Sequence, residues 1–344
     1  MFVVLTPKPQ HSHTLQLNYV KPAYGNITCP GDPCLTLEAY VEAIDEYFMS
    51  NVQFLFIPGD HYFDAHLRLV NISNVHFKGE DISADTSTIQ ISYSPLANLT
   101  FVASSNVTFS HLTFTLGGSW TGFSELFSTM VFQSSFSLYL SNLTFLGSRS
   151  SFGSTAIRCH SSHIEMSDIH IVGAKSILGA ALVVYNSTVT LSGNNSFISN
   201  TAYIQGGAVV SLESNITISG RNYFEGNSVS FFGGAMFMQS TIIEFSGTTV
   251  FLHNRAVHAL SHGGAVALDN CMMNFNSGGL YFTENSAQFV GGAMYISSTT
   301  AQMTGQIVVQ GTITANSGAI RVDSYSVIVS VSYTHLTLPT IYSV

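Results

Sequence analysis

Four times in this chain a phenylalanine is followed three residues later by an asparagine, and a pair of glycines then an alanine comes soon after. Phe197, Phe224, Phe251 and Phe282 precede Asn200, Asn227, Asn254 and Asn285. The glycine pairs are Gly206–Gly207, Gly233–Gly234, Gly263–Gly264 and Gly291–Gly292. A third mark, Ser or Thr then Gly, places Gly193, Gly220, Gly247, Gly278 and Gly305 four residues before the phenylalanine position. A worn copy follows with Val309 in the phenylalanine place and Gly318 in the glycine place, and a worn earlier copy carries Gly179. The unit is about 27 residues long, and self-similarity at such a period marks a stack of identical supersecondary units.

Between the marks lie short alternating runs: Ile216 and Ile218, Ile243 and Phe245, Met273 and Phe275. Alternation over four to six residues bounded by Gly, Ser and Asn predicts half-buried strands. Each unit holds about three of them. Such a unit cannot bury its apolar side chains alone; stacked on copies of itself it makes a continuous core. In that frame the phenylalanine points inward onto its counterpart one coil below. The glycine pair suits a corner with positive φ or crowded backbone. The asparagine is expected to tolerate left-handed geometry and to bond along the stack.

Weaker copies extend upstream. Residues 105–114 and 136–145 match in register, Ser110 with Ser141, Leu112 with Leu143 and Phe114 with Phe145, and residues 71–79 read as a further coil. The expected fold is all-β, a right-handed parallel β-helix over residues 52–330, most regular over about 165–320. Residues 35–49 predict the one helix, with Leu37, Tyr40, Val41, Ile44 and Phe48 on one face. A solenoid exposes an edge and its core at the open end, so residues 1–51 are read as an N-terminal segment with a short capping helix.

Composition narrows the function. Charged residues are 8% of the chain, and 10 Lys plus Arg stand against 19 Asp plus Glu, a net charge of −9. No basic patch of that make-up neutralises a run of phosphates, which argues against nucleic acid as partner. Apolar residues make up 46%, yet every apolar run is cut by Ser, Asn or Gly short of the roughly 18 to 20 residues of a spanning helix. The apolar part of residues 1–10 is too short for a complete signal peptide, so either the chain is not exported or its start is missing.

Cys29 and Cys34 bracket a turn-rich Pro-Gly-Asp-Pro and suit a small disulfide, with a pair of unlinked thiols as the alternative. A metal site there would need two more ligands, and none is evident. Cys159 and Cys271 fall in strand-like stretches and read as small core residues. Acceptor sequons for N-glycosylation stand at Asn26, Asn71, Asn98, Asn106, Asn142, Asn186, Asn194 and Asn215, a weak pointer to the outside of a cell.

Catalysis on polysaccharides would need two or three carboxylates converging on one face, or a base with acidic or calcium sites. Glu165, Asp168, Glu213, Glu225, Glu244, Asp269 and Glu284 are isolated along the chain, and Lys175 is the one lysine after residue 78. His253, His258 and His262 cluster in the stretched copy of the repeat, where a solvated loop is preferred over a metal or catalytic role. Glu225 and Glu284 occupy variable places of Phe-x-x-Asn, which suits exposed turn residues.

The Phe-x-x-Asn and Gly-Gly-Ala-aliphatic tetrapeptides resemble the repeats of the polymorphic outer membrane protein family, over about residues 165 to 320. The stretch from Cys29 to Phe63 resembles the capped start of pectin-lyase-like β-helix proteins, in the manner of animal extracellular versions. The resemblance implies a secreted or cell-surface β-helix with adhesive or structural use, an unknown protein or glycan as ligand, and no cofactor. The alternative within that superfamily is a polysaccharide lyase or glycoside hydrolase. Residues 331–344 break the repeat and resemble a translated sequencing-library adapter, which implies that they are not native and that the natural chain continues past Ser330.

Overall fold

The computed structural model describes residues 2–6, 16–20, 50–56, 59–63, 66–79, 87–91, 98–115, 128–147, 155–316, 318–323, 325–330 and 335–336. The candidate helix over 35–49, Cys29, Cys34 and Asn26 lie outside them, as does most of 331–344.

One coil shows how the repeat becomes structure. Strand Thr188–Ser192 bends at Gly193 into Asn194–Ile198, turns through Ser199 and Asn200 into Thr201–Gln205, and corners at Gly206–Gly207 into Val209–Leu212. Each strand pairs in parallel with its counterpart in the next coil: Val189 with Ile216, Phe197 with Phe224, Ala202 with Val229, Val209 with Met236. Repetition gives three sheets, of 21, ten and six strands. The first two strands of each coil share the long sheet. The chain is therefore a parallel β-helix. In earlier coils those two strands are one, as in Ser105–Thr115, Phe136–Leu146 and His163–Val172. There His111, Asn142 and Asp168 take the left-handed bend that Gly193 and Gly220 take later.

At the N-terminal end the long sheet gains strands that periodicity does not announce. Phe2–Thr6 pairs parallel with Ser50–Phe56 and antiparallel with Gln16–Val20. At the other end His335 and Leu336 pair with Val308 and Val309.

The core is a set of columns. One runs Phe114, Phe145, Ile171, Phe197, Phe224, Phe251, Phe282, Val309. The four repeat phenylalanines are fully buried. Their rings stack at 4.7, 5.1 and 4.9 Å between centroids. A parallel sheet sets this spacing, because neighbouring strands lie about 4.8 Å apart. Each such pair adds about 0.5–1.5 kcal/mol to the burial of its area.

Beside this column runs a buried ladder of Asn200, Asn227, Asn254 and Asn285, all fully enclosed. Each amide bridges coils. Asn227 Oδ1 accepts from the backbone N–H and Nδ2 of Asn200, both at 3.0 Å. Its Nδ2 donates to the Phe197 carbonyl and to Asn254 Oδ1, both at 2.9 Å. The left-handed residue is not the asparagine but the one before it: Ser199, Gly226, His253 and Glu284 have φ of 53, 61, 54 and 51°. That twist turns the asparagine side chain inward, where the interior has no water to satisfy an amide and the ladder must.

The glycine pair divides two tasks. Gly233 has φ +66, whereas Gly234 lacks positive φ and sits where an added Cβ would lie 1.9 Å from the Gly264 carbonyl oxygen.

A second polar ladder is visible only in the fold. At the turn from the ten-stranded to the long sheet stand Ser104, Ser135, Ser162, Ser187 and Ser214, then Thr241, Cys271 and Thr299. Backbone N–H groups of Ser135, Ser162 and Ser187 donate to the hydroxyl of the next coil at 3.0–3.1 Å. Each hydroxyl in turn donates to a carbonyl two residues back, as Ser187 does to Tyr185 at 2.7 Å. Cys271 replaces the hydroxyl with a thiol that reaches the Asp269 carbonyl at 3.2 Å. No helix among the described residues is long and apolar enough to cross a membrane.

Candidate binding face

Outward-facing residues of a parallel β-helix fall into columns just as the inward ones do, so the surface is a grid of repeated positions. On the ten-stranded sheet one outward column runs Val183, Val210, Phe237, Ala267, Tyr295, Arg321. Its first four members are buried although they point away from the tube. The chain itself covers them. Just before each glycine corner Gln205, Phe232, His262 and Val290 bridge to one another from coil to coil, and Phe232 and His262 pack against that column at Phe237 and Tyr295.

In the later coils this cover becomes an aromatic shelf. Phe232 packs on Phe237 with centroids 5.9 Å apart, and the His262 ring stacks on Phe232 at 5.2 Å. Phe289 and Tyr295 meet His262 edge to face at 5.5 and 4.7 Å. Beside it His258 lies over Phe231 at 4.4 Å. The Tyr295 hydroxyl donates to Asp323 Oδ2 at 2.9 Å, and Arg321 Nε donates to Asp323 Oδ1 at 2.7 Å.

The titrations follow from this packing. Burial holds the His262 imidazole below its ordinary value, against the opposing pull of a Leu260 backbone hydrogen bond and the Asp323 charge. Burial raises the Tyr295 phenol, helped by its bond to Asp323. For Asp323 burial pushes upward, but the bonds from Arg321 and Tyr295 outweigh it and leave the carboxyl below the usual range.

The stretched copy of the repeat builds the part of this face that projects. Val257 and Leu260 are exposed at 51% and 59%. The base is pinned: Ser261 is buried, its Oγ donates to the Ala256 carbonyl at 2.7 Å and accepts from the Gln288 N–H at 2.9 Å. His258 and His262 belong to this loop. His253 does not; it sits at the preceding turn, its Nε2 2.8 Å from Glu284 Oε2 in an exposed pair. The three histidines do not converge, and among the described residues no three His, Cys, Asp or Glu side chains gather as metal ligands.

The acids are distributed over the grid. Glu165 and Glu244 share an outward column of the long sheet, with Thr190 and Thr217 between them. Glu225 stands on the same sheet's second strand, Asp168 at its bend, Glu213 and Glu284 at turns. Asp168 is held below the ordinary carboxylate range, chiefly by the Ser167 hydroxyl and then by the Asn194 N–H. Asp269 and Asp323 share a column of the ten-stranded sheet, with Ser297 between. Asp269 accepts from Gln239 Nε2 at 2.9 Å. A general acid needs a carboxyl with a raised pKa; Asp168 and Asp323 are shifted the other way.

Of the sequons, Asn71, Asn142, Asn186, Asn194 and Asn215 are exposed and Asn106 is partly so. Asn98 opens strand Asn98–Val102 of the ten-stranded sheet. No sequon follows Asn215, so the shelf and its loop carry none. The shelf leaves little trace in the sequence, because its members fall at variable places between the marks. The one available signal is the three extra residues before Gly263.

The sequence matches no protein-family model and no curated protein. Among solved structures it is similar to the catalytic domain of a GH87 α-1,3-glucanase at 8% identity and TM-score 0.29, covering 80% of this chain. This chain spans 64% of that domain's length. It is also similar to PfbA, a surface adhesin of Streptococcus pneumoniae, at 10% identity and TM-score 0.32, over 82% of this chain and 87% of the adhesin. A third is endo-xylogalacturonan hydrolase from Aspergillus tubingensis, at 12% identity and TM-score 0.35, over 96% and 98% of the two chains. Likenesses of this degree say nothing of what the chain binds or does.

Proposed function

We propose that this chain is an extracellular, non-catalytic binding module that meets its partner through the projecting loop 257–262 and the aromatic shelf beside it. The observation that carries this is the stretched corner itself. In a repeat whose other corners are tight, one is lengthened, pinned at its base through Ser261, and made to present Val257 and Leu260 to solvent. Exposed apolar side chains on a fixed platform of rings suit a protein or glycan surface. The exposed sequons and the Cys29/Cys34 pair support a secreted or cell-surface setting. The spread of the acids over separate columns and turns supports binding over hydrolysis, which needs two carboxyls facing one another.

The second reading, a carbohydrate-active enzyme, is favoured by one observation, that Asp269 and Asp323 share a column two rungs apart. Two rungs at about 4.8 Å come near the separation of an inverting carboxylate pair. The purified chain, screened on glycan and cell-surface protein arrays and assayed for new reducing or unsaturated ends, separates the two. Capture without product, lost in the Val257→Ser/Leu260→Ser variant, is expected. Product that disappears in Asp323→Asn would replace this reading with the enzyme.

A further inference from the structure

The turn from the ten-stranded to the long sheet shortens along the helix, and the step leaves a depression. Between Ser135 and the core residue Leu138 stand two residues, Phe136 and Ser137; between Ser162 and its counterpart Ile164 stands His163 alone. The longer turn overhangs the shorter. Phe136 projects there with 57% of its surface exposed. The result is an open depression of about 490 Å³ with Phe136 on one side, Ser161, His163 and Thr188 around it, and Asn186 on its rim. Asn186 is exposed, at φ 45 on the crest of its turn. Its Nδ2 makes one long bond, 3.3 Å, to the Oγ of half-buried Ser161. Asn186, Ser187 and Thr188 form an acceptor sequon.

We propose that Asn186 carries an N-linked glycan whose first sugars lie in this depression, against the ring of Phe136. The proposal rests on the extracellular reading above. The sugar's C–H face covers the phenylalanine, while its hydroxyls find Ser161, His163 and Thr188. An apolar wall with a few placed polar groups is the make-up of a small-molecule site. Here the occupant is tethered to the rim, so its effective concentration is high and a weak contact suffices.

The test is to secrete the full chain from eukaryotic cells, map occupancy by glycopeptide mass spectrometry, and time the release of each glycan by an endoglycosidase under native conditions. Occupied Asn186, with its glycan released several-fold more slowly than that of Asn215 or Asn142, is expected. Phe136→Ser should leave occupancy unchanged and bring the Asn186 rate up to the others, while Phe136→Tyr keeps it slow. Both changes fall on an exposed side chain, and circular dichroism verifies that the β-helix is retained. An unoccupied Asn186 beside occupied neighbours, or equal release rates in the parent and Phe136→Ser, overturns this proposal and leaves the extracellular reading standing. Secreted behind a supplied signal peptide, a folded protein with no sequon occupied overturns both.

Discussion

Asn227 donates from its side-chain amide to Asn254 Oδ1 at 2.9 Å, and the backbone N–H of Asn227 donates to that same oxygen at 3.0 Å. One acceptor thus ties a side chain and a main chain to the next coil, in a place no water reaches. Replacing Asn227 with leucine keeps the branched shape and removes the side-chain bonds to Asn200, Phe197 and Asn254. The Asn200 N–H would be left buried and unpaired, at about 1–3 kcal/mol, and the Phe197 carbonyl would lose a donor. Asn227→Leu is expected to destabilise by about 2–5 kcal/mol in denaturant unfolding. A change under about 0.5 kcal/mol would show that the ladder is incidental.

The second glycine of each pair is held by crowding. Valine at Gly234 or Gly264 would push Cβ to 1.9 or 2.0 Å from the next coil's carbonyl oxygen. The coils must separate, at more than the roughly 1–3 kcal/mol of local backbone strain. A Gly234→Val protein with unchanged melting temperature would contradict the stacking described.

Cys159 and Cys271 are free and buried, and burial pushes both thiols up, Cys271 to about 11. Only the thiolate reacts. At pH 8 an alkylating reagent should label neither on the native chain within hours and both after denaturation. Rapid native labelling of Cys271 by peptide mapping would place it outside the ladder.

His262 is depressed in the folded state by burial, so the unfolded chain takes up its proton first as pH falls. Stability should therefore be full above the unfolded value of about 6.5 and decline as pH drops below it. Asp323, also depressed, adds a loss only at lower pH, as the solution falls through its folded value. Thermal melts from pH 7.5 to 5 are expected to show a decline that His262→Phe reduces. An identical slope in both proteins would mean that the ring titrates as if exposed.

How much of this was legible? The phenylalanine column and the strand registers were open to reading, because a large apolar side chain recurring at a fixed period belongs in a stacked core. Even the fused upstream coils, with Phe114 on Phe145, show in their spacing. The asparagine twist falls one residue earlier than the sequence suggests, since the left-handed position accepts serine, glycine, histidine and glutamate and so leaves no constant letter. The Ser/Thr ladder hides for the opposite reason: serine is so common in this chain that its periodic copies do not stand out. The shelf was the least legible. Its members become neighbours through the cover that each corner lays over the next sheet, a relation between columns that no single repeat contains.

The central claim is that the repeat marks build the helix while the stretched corner does the binding. It is tested most directly by measuring melting temperature and array binding together for two variants. Phe251→Leu thins the buried stack, and Val257→Ser/Leu260→Ser strips the exposed loop. The account predicts a lower melting temperature with intact binding for the first, and an unchanged melting temperature with binding lost for the second. Lost binding in a fully stable Phe251→Leu protein, or full binding by the loop variant, would contradict it.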